Sequence, residues 1–180
     1  MKNELRKEAL EKRKMLNCNE LSEKIIKNLI SLPEYRSSKD IICYYPLKYE
    51  ADTKMCLEDN QKNWYLPRVN GEALDICPFG NLSKGAFGIL EPMTNPISDY
   101  EKINMVIIPA CAADKSGYRI GWGKGYYDRF LPLLKQTCKK VVLIYSSLLY
   151  NTIYPDKNDV KADIIVTDKG IFRIDETEKF

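Results

Sequence analysis

Met105-Val106-Ile107-Ile108-Pro109-Ala110, followed closely by Gly117-Tyr118-Arg119-Ile120-Gly121-Trp122-Gly123-Lys124-Gly125-Tyr126-Tyr127-Asp128-Arg129, is the stretch on which the fold turns. The first segment is a continuous apolar run of the kind found in strands covered on both faces. The second places four glycines at spacings of four, two and two, just ahead of a helix-forming segment. A buried strand, a glycine loop and a helix in that order belong to an α/β layered fold, in which ligands sit at the carboxyl ends of the strands.

Working outward, residues 140–145 and 162–167 read as two further buried strands. Residues 40–45 form a shorter strand closed by Pro46. Residues 64–66 form another, stopped by Pro67, and 74–77 and 171–174 complete the set. Helical spacing of Leu5, Ala9 and Leu16 predicts a helix over 2–16, and that of Leu21, Ile25, Ile26, Leu29 and Ile30 one over 19–31. Asn17 or Asn19 caps the second, and Pro33 marks its end. A helix is expected over 53–60 and another over 126–134, bent or shortened by Pro132. The Pro- and Gly-rich region 78–102 reads as a locally structured excursion rather than a linker. The whole chain, 1–180, is expected to form a single α/β domain with a largely parallel sheet flanked by helices.

Composition narrows the function classes. The net charge of +3 is mild and gives no reason to expect nucleic acid. No apolar run approaches the length of a membrane span, and the charged N-terminus lacks the apolar core of a signal peptide. Six cysteines with no Cys-x-x-Cys pair, in a chain without histidine, argue against a zinc site of the usual kind. Reduced thiols and a cytoplasmic location are the simplest reading. Without histidine, Ser-His and Cys-His catalytic pairs are impossible, so chemistry must rest on carboxylates, Lys, Arg, Tyr, a metal or positioning.

The glycine loop has the make-up of a triphosphate site. Its glycines allow close backbone approach, and N–H groups entering a helix can hold phosphate oxygens. Arg119, Lys124 and Arg129 bring positive charge that turn geometry alone does not require. The loop is neither a Walker A motif nor a dinucleotide-binding fingerprint. Asp128, in the first turn of the following helix, is either a carboxylate favoured by the helix dipole or a Mg²⁺ ligand beside phosphate oxygens. Tyr126 and Tyr127 are core aromatics or a flat wall for a heterocycle. Lys2 and Arg6 share a helix face, Glu50 follows the strand at 40–45, and Asp159 sits on a loop. Taken alone, Lys2 and Arg6 read as solvated charges, Glu50 as a surface loop acid and Asp159 as a turn residue.

Together these residues resemble the 5-formyltetrahydrofolate cyclo-ligase family. The similarity begins at Lys2-x-x-Leu5-Arg6 and continues through Glu50-x-Asp52-Thr53, Leu66-Pro67-Arg68 and Gly88-Ile89-x-Glu91-Pro92. It culminates in Arg119-x-Gly121-x-Gly123-Lys124-Gly125-Tyr126-Tyr127-Asp128-Arg129 and ends at Asn158-Asp159. The resemblance implies an enzyme that uses ATP and Mg²⁺ to close 5-formyltetrahydrofolate to 5,10-methenyltetrahydrofolate, releasing ADP and phosphate. It assigns ATP contacts to Lys2, Arg6 and the run Arg119, Ile120, Gly121, Trp122, Gly123, Lys124, Gly125, Tyr126 and Tyr127. Folate contacts fall to Tyr45, Glu50, Trp122, Gly123, Lys124, Gly125 and Tyr126. Arg119 and Lys124 act on the transferred phosphoryl group, and Asp128 and Asp159 correspond to metal-linked positions. A monomer without nucleic-acid or membrane partners is expected.

Two departures from the family pattern stand out: Cys111-Ala112-Ala113-Asp114 replaces Gly-x-x-Phe-Asp, and Ser146 to Leu149 lack a frequent Gln. Both bear on substrate affinity more than on reaction type. The alternative reading is a homologue that binds nucleotide or folate without turnover.

Overall fold

The computed structural model describes residues 1–174. Three helices lead the chain: α1 (Lys2–Lys14), α2 (Cys18–Ser31) and α3 (Pro33–Ser37). After them come β1 (Asp40–Ile42), α4 (Lys54–Leu57), β2 (Asn63–Asn70), β3 (Ala73–Pro78), β4 (Leu82–Lys84) and β5 (Leu90–Pro92). The second half runs β6 (Met105–Pro109), β7 (Ala112–Asp114), β8 (Arg119–Ile120), α5 (Tyr126–Phe130), β9 (Lys139–Leu143), β10 (Leu149–Tyr150), β11 (Ile164–Thr167) and β12 (Gly170–Arg173).

Seven of the described strands build the main sheet in the order β12-β11-β9-β6-β1-β2-β3. The five inner strands run parallel, and antiparallel β12 and β3 close the two edges. The centre of this sheet is the apolar run read from the sequence: Met105, Val106, Ile107 and Ile108 are fully buried, as are Val141 and Val142 of β9 and Ile41 and Ile42 of β1. Such strands can be apolar on both faces only if both faces are covered. One cover is α2, which buries Ile25, Ile26 and Leu29 and packs on β11 and β12. The more polar α1 buries Ala9 and Arg13 and packs on β7. This is the predicted fold class.

Three local expectations are corrected. The strand expected to stop at Pro67 continues to Asn70. β1 pairs only with Asn63 to Tyr65 of β2, so by Pro67 the strand has β3 alone beside it, and the missing N–H interrupts no ladder bond toward β1. The helix expected over 53–60 is confined to α4, because the Asp59 carboxylate accepts the Gln61 N–H at 2.9 Å and turns the chain. The glycine loop does not leave β6 directly. A hairpin of β7 and β8 intervenes, joined by β10 into a small three-stranded sheet, so Arg119 and Ile120 lie on a strand rather than in the loop. The helix after the loop ends at Phe130, and Pro132 falls in a 3₁₀ turn over Leu131–Leu133.

Candidate functional site

Strand order decides where the site lies. The chain moves from β1 to β2 on one side and from β6 to β9 on the other, so β1 and β6 are neighbours whose continuations diverge. A crevice opens beyond the carboxyl ends of strands at such a switch point. A cavity of about 560 Å³ fills it, walled by residues following β1 (Tyr44, Tyr45, Leu47, Glu50), by Pro109 at the end of β6, and by the glycine loop.

One end of the cavity is cationic. Lys2 and Arg6 project from one face of α1. Arg6 Nε donates to the Gly121 carbonyl at 2.8 Å, docking the helix onto the loop. Gly123 has φ +93°, a conformation that favours glycine, and a Cβ there would stand 3.3 Å from the Arg6 guanidinium carbon, close enough that the side chain would have to shift. Gly125, with φ +67°, begins α5. Lys2 Nζ lies between the carboxylates of Asp156, at 2.7 Å, and Asp159. Desolvation pulls the Lys2 pKa down, but the hydrogen bonds and charges of the two aspartates more than offset it, and the ammonium is held charged above its ordinary range.

The loop cations divide by role. Arg119 is buried; it donates to the Val160 carbonyl at 2.7 Å and to Asp128 Oδ1 at 2.7 Å. The same carboxylate oxygen accepts from Val160 N–H at 3.3 Å, so the pair ties α5 to the segment before β11. Arg129 spends its guanidinium on the carbonyls of Glu72 and Lys124. Lys124 is exposed, and its ammonium stands 5.8 Å from the Phe87 ring centroid, across the cavity mouth.

Much of the remaining lining is apolar or aromatic, including Tyr44, Tyr45, Leu47, Val69, Leu74 and Phe87. Within it Glu50 is buried. Its Oε1 accepts from Trp122 Nε1 at 3.0 Å and its Oε2 from Leu47 N–H at 2.8 Å. Burial pushes the Glu50 pKa up, while these hydrogen bonds and the charge of Arg13 oppose that shift. Tyr126 donates its hydroxyl to the Gly71 carbonyl at 3.2 Å.

The residues to which the resemblance assigned contacts line this one cavity: Lys2, Arg6, Tyr45, Glu50, the run from Arg119 to Asp128, and Asp159; Arg129, the third loop cation, does not line it. Sequence reasoning missed Tyr44, Leu47, Val69, Leu74, Phe87 and Asp156 as lining residues. Two of these carried a usable signal: Val69 is two residues beyond Pro67 on the same strand face, and Asp156 precedes Asp159 in an Asp-x-x-Asp spacing.

Residues 1–168, which contain the whole cavity lining, match the model of the 5-formyltetrahydrofolate cyclo-ligase family. The chain belongs to that family. Among cyclo-ligases, the 5-formyltetrahydrofolate cyclo-ligase of Mycoplasma pneumoniae is 31% identical over 176 residues, covering 93% of this chain and 99% of that protein. The mitochondrial cyclo-ligase of Arabidopsis thaliana is 31% identical over 84% of this chain and 67% of its own length. The NMR structure of Aquifex aeolicus 5,10-methenyltetrahydrofolate synthetase superposes with a TM-score of 0.86 at 38% identity, covering 97% of this chain and 93% of that one. The structure of the synthetase from Mycoplasma pneumoniae gives 0.75 at 30% identity, over 93% of this chain and 98% of that one. The cyclo-ligase resemblance read from the sequence is borne out.

Proposed function

We propose that this protein is an ATP-dependent cyclo-ligase converting 5-formyltetrahydrofolate to 5,10-methenyltetrahydrofolate, with release of ADP and phosphate. One observation carries the reading in a chain of this family: a single cavity at the sheet's switch point is lined by a glycine loop with its cations, by apolar and aromatic walls, and by a buried carboxylate.

The N-formyl oxygen attacks the γ-phosphorus and ADP leaves, giving a phosphorylated imidate. The N10 amine then attacks the formyl carbon, N10 loses its proton, and phosphate departs with the former formyl oxygen. This chemistry needs positioning and charge neutralisation rather than a protein nucleophile, which suits a chain without histidine. Lys2, Arg6 and the backbone from Ile120 to Gly125 hold the triphosphate. Lys124, poised at the mouth, neutralises charge on the transferred group. Arg119, with its guanidinium engaged by Asp128 and the Val160 carbonyl, acts by fixing the loop, its charge largely balanced by Asp128. Tyr45, Trp122 and Tyr126 wall the folate, and Glu50 accepts hydrogen bonds from pterin N–H groups.

Mg²⁺ fits the donors present. Asp128 and Asp159 place hard carboxylate oxygens in the same cavity. No group of three or more metal-ligating side chains converges among the described residues. That pattern suits an ion that arrives on the triphosphate and takes only one or two carboxylates. Asp128 and Asp159 would hold it, and it would screen charge on the phosphates.

The chain is read as one catalytic domain and a monomer. No described helix is long and apolar enough to cross a membrane, and the six cysteines are free thiols, consistent with a cytoplasmic enzyme. The test is direct. Purified protein with 5-formyltetrahydrofolate, ATP and Mg²⁺ should develop the near-ultraviolet absorbance of the methenyl product. Binding of both ligands without that absorbance would instead establish the non-catalytic alternative.

A further inference from the structure

Lys2 and Asp159 carry expectations that pull them apart, the one toward the triphosphate and the other toward the metal, yet the structure makes them partners. Asp156 completes the arrangement. Its carboxylate accepts from the same Lys2 ammonium at 2.7 Å, and its N–H donates to Asp159 Oδ2 at 2.7 Å. All three residues line the cavity. Asp159 is the inner carboxylate, its side chain 16% exposed against 74% for Asp156, and the Lys2 side chain is 22% exposed. Two carboxylates drawn toward one point, one of them largely out of water, call for a cation between them. Here the chain supplies that cation itself.

We propose that Lys2 is an internal competitor for the metal: its ammonium holds the Asp156–Asp159 pair against free Mg²⁺ and yields Asp159 only when a triphosphate offers it another anion. The inference rests on the cyclo-ligase reading, which supplies the nucleotide and the metal. Lysine suits the exchange, since a compact charge on a flexible stem can pass from carboxylate to phosphate by changing rotamer. Its neighbours are not placed to do the same. Arg6 is tied to the Gly121 carbonyl, and Arg119 to Asp128 and the Val160 carbonyl. Magnesium loses its water reluctantly and takes few carboxylates unless phosphate oxygens complete its shell. An ammonium already seated on the aspartates therefore keeps out the bare ion but gives way to the ion carried on a triphosphate. Asp156, closer to solvent, is the carboxylate that shares either cation with Asp159. Lys2 thus couples the two ligands: the nucleotide frees the carboxylate, and the metal frees the lysine.

Lys2→Met tests this by keeping the length of the side chain and removing its charge. The probe is Mn²⁺ alone, with no nucleotide or folate present, followed by electron paramagnetic resonance. Displacing an ammonium from two partly exposed carboxylates hinders the metal about tenfold, so Lys2→Met should bind Mn²⁺ about tenfold more tightly than wild type. Mn²⁺ should also raise its melting temperature more than that of wild type. Adding Asp156→Asn to Lys2→Met should remove most of the gain. Lys2→Arg, which keeps a cation on the aspartates, should bind Mn²⁺ no more tightly than wild type. Unchanged or weaker Mn²⁺ binding by Lys2→Met would reduce Lys2 to a staple between α1 and the loop and overturn the proposal. A gain that survives Asp156→Asn, or one that appears in Lys2→Arg, would overturn it as well. Wild-type turnover separates the two levels. An inactive wild type defeats the cyclo-ligase reading, whereas an active wild type with no Mn²⁺ gain in Lys2→Met defeats only this assignment.

Discussion

Replacing Asp128 with Asn separates the contact that holds the loop from the metal role proposed for the same carboxylate. Asp128 is placed where a magnesium ligand is expected, yet its Oδ1 is 2.7 Å from Arg119 Nη2. The Arg119 side chain is 3% exposed and that of Asp128 30% exposed. Removing the partner of a fully buried charge costs roughly 3–5 kcal/mol. Here one partner reaches water, and Asn keeps an oxygen acceptor for both Arg119 and Val160 N–H, so the expected loss is smaller, about 2 kcal/mol. For a chain of this size that corresponds to a fall of roughly 4–8 °C in melting temperature. With a urea slope near 2 kcal/mol/M, it lowers the midpoint by about 1 M. The assay pairs urea unfolding without ligands with turnover across a Mg²⁺ titration. Asp128→Asn should lose stability in the absence of any metal and also require more Mg²⁺ for half-maximal rate. An unchanged midpoint would show that the Arg119–Asp128 pair does not hold the loop and would refute the reasoning, whatever happened to the metal requirement.

Lys124→Ala should cut turnover roughly 100-fold while leaving the urea midpoint in place, since the side chain is exposed and holds no carbonyl or carboxylate. Loss of stability together with activity would contradict that assignment. Gly123→Ala should raise the KM for ATP about tenfold, because a Cβ at φ +93° is strained by roughly 1–2 kcal/mol and presses on Arg6; an unchanged KM would free both residues from the nucleotide. The raised pKa of Glu50 means the folded state holds its proton more tightly than the unfolded chain. Its contribution to stability is therefore fully present below the unfolded value of 4.5 and is lost as pH rises through the higher folded value. Glu50→Gln should accordingly gain stability relative to wild type as pH rises from about 4 to 8, and parallel pH–stability curves would show that Glu50 ionises normally.

The centre of the fold was legible because one physical constraint writes itself into composition: a strand covered on both faces has no reason to be polar, and residues 105–108 and 141–143 are not. The margins obey weaker rules. Pro67 marks a strand end only if the strand beside its nitrogen would need an N–H there, and nothing local shows that β1 stops short. The hairpin at 112–120 is built from fragments too short for a period-2 pattern to stand out. The site divides in the same way. The glycine loop announces itself because its residues are chemically unusual for a turn. Lys2, Glu50 and Asp159 stand out only by their convergence on one cavity, which the resemblance led one to expect and local pattern did not. The partner choices of Arg119 and Arg129 were illegible, since a cation beside a glycine looks the same whether it meets a phosphate or a backbone carbonyl.

The clasp between Lys2 and Asp159 joins residues 157 positions apart along the chain. Closing so long a loop is costly in chain entropy and comes late in folding. The seam between α1 and the segment before β11 is therefore the place to look, by hydrogen exchange, for the earliest local opening of the cavity wall.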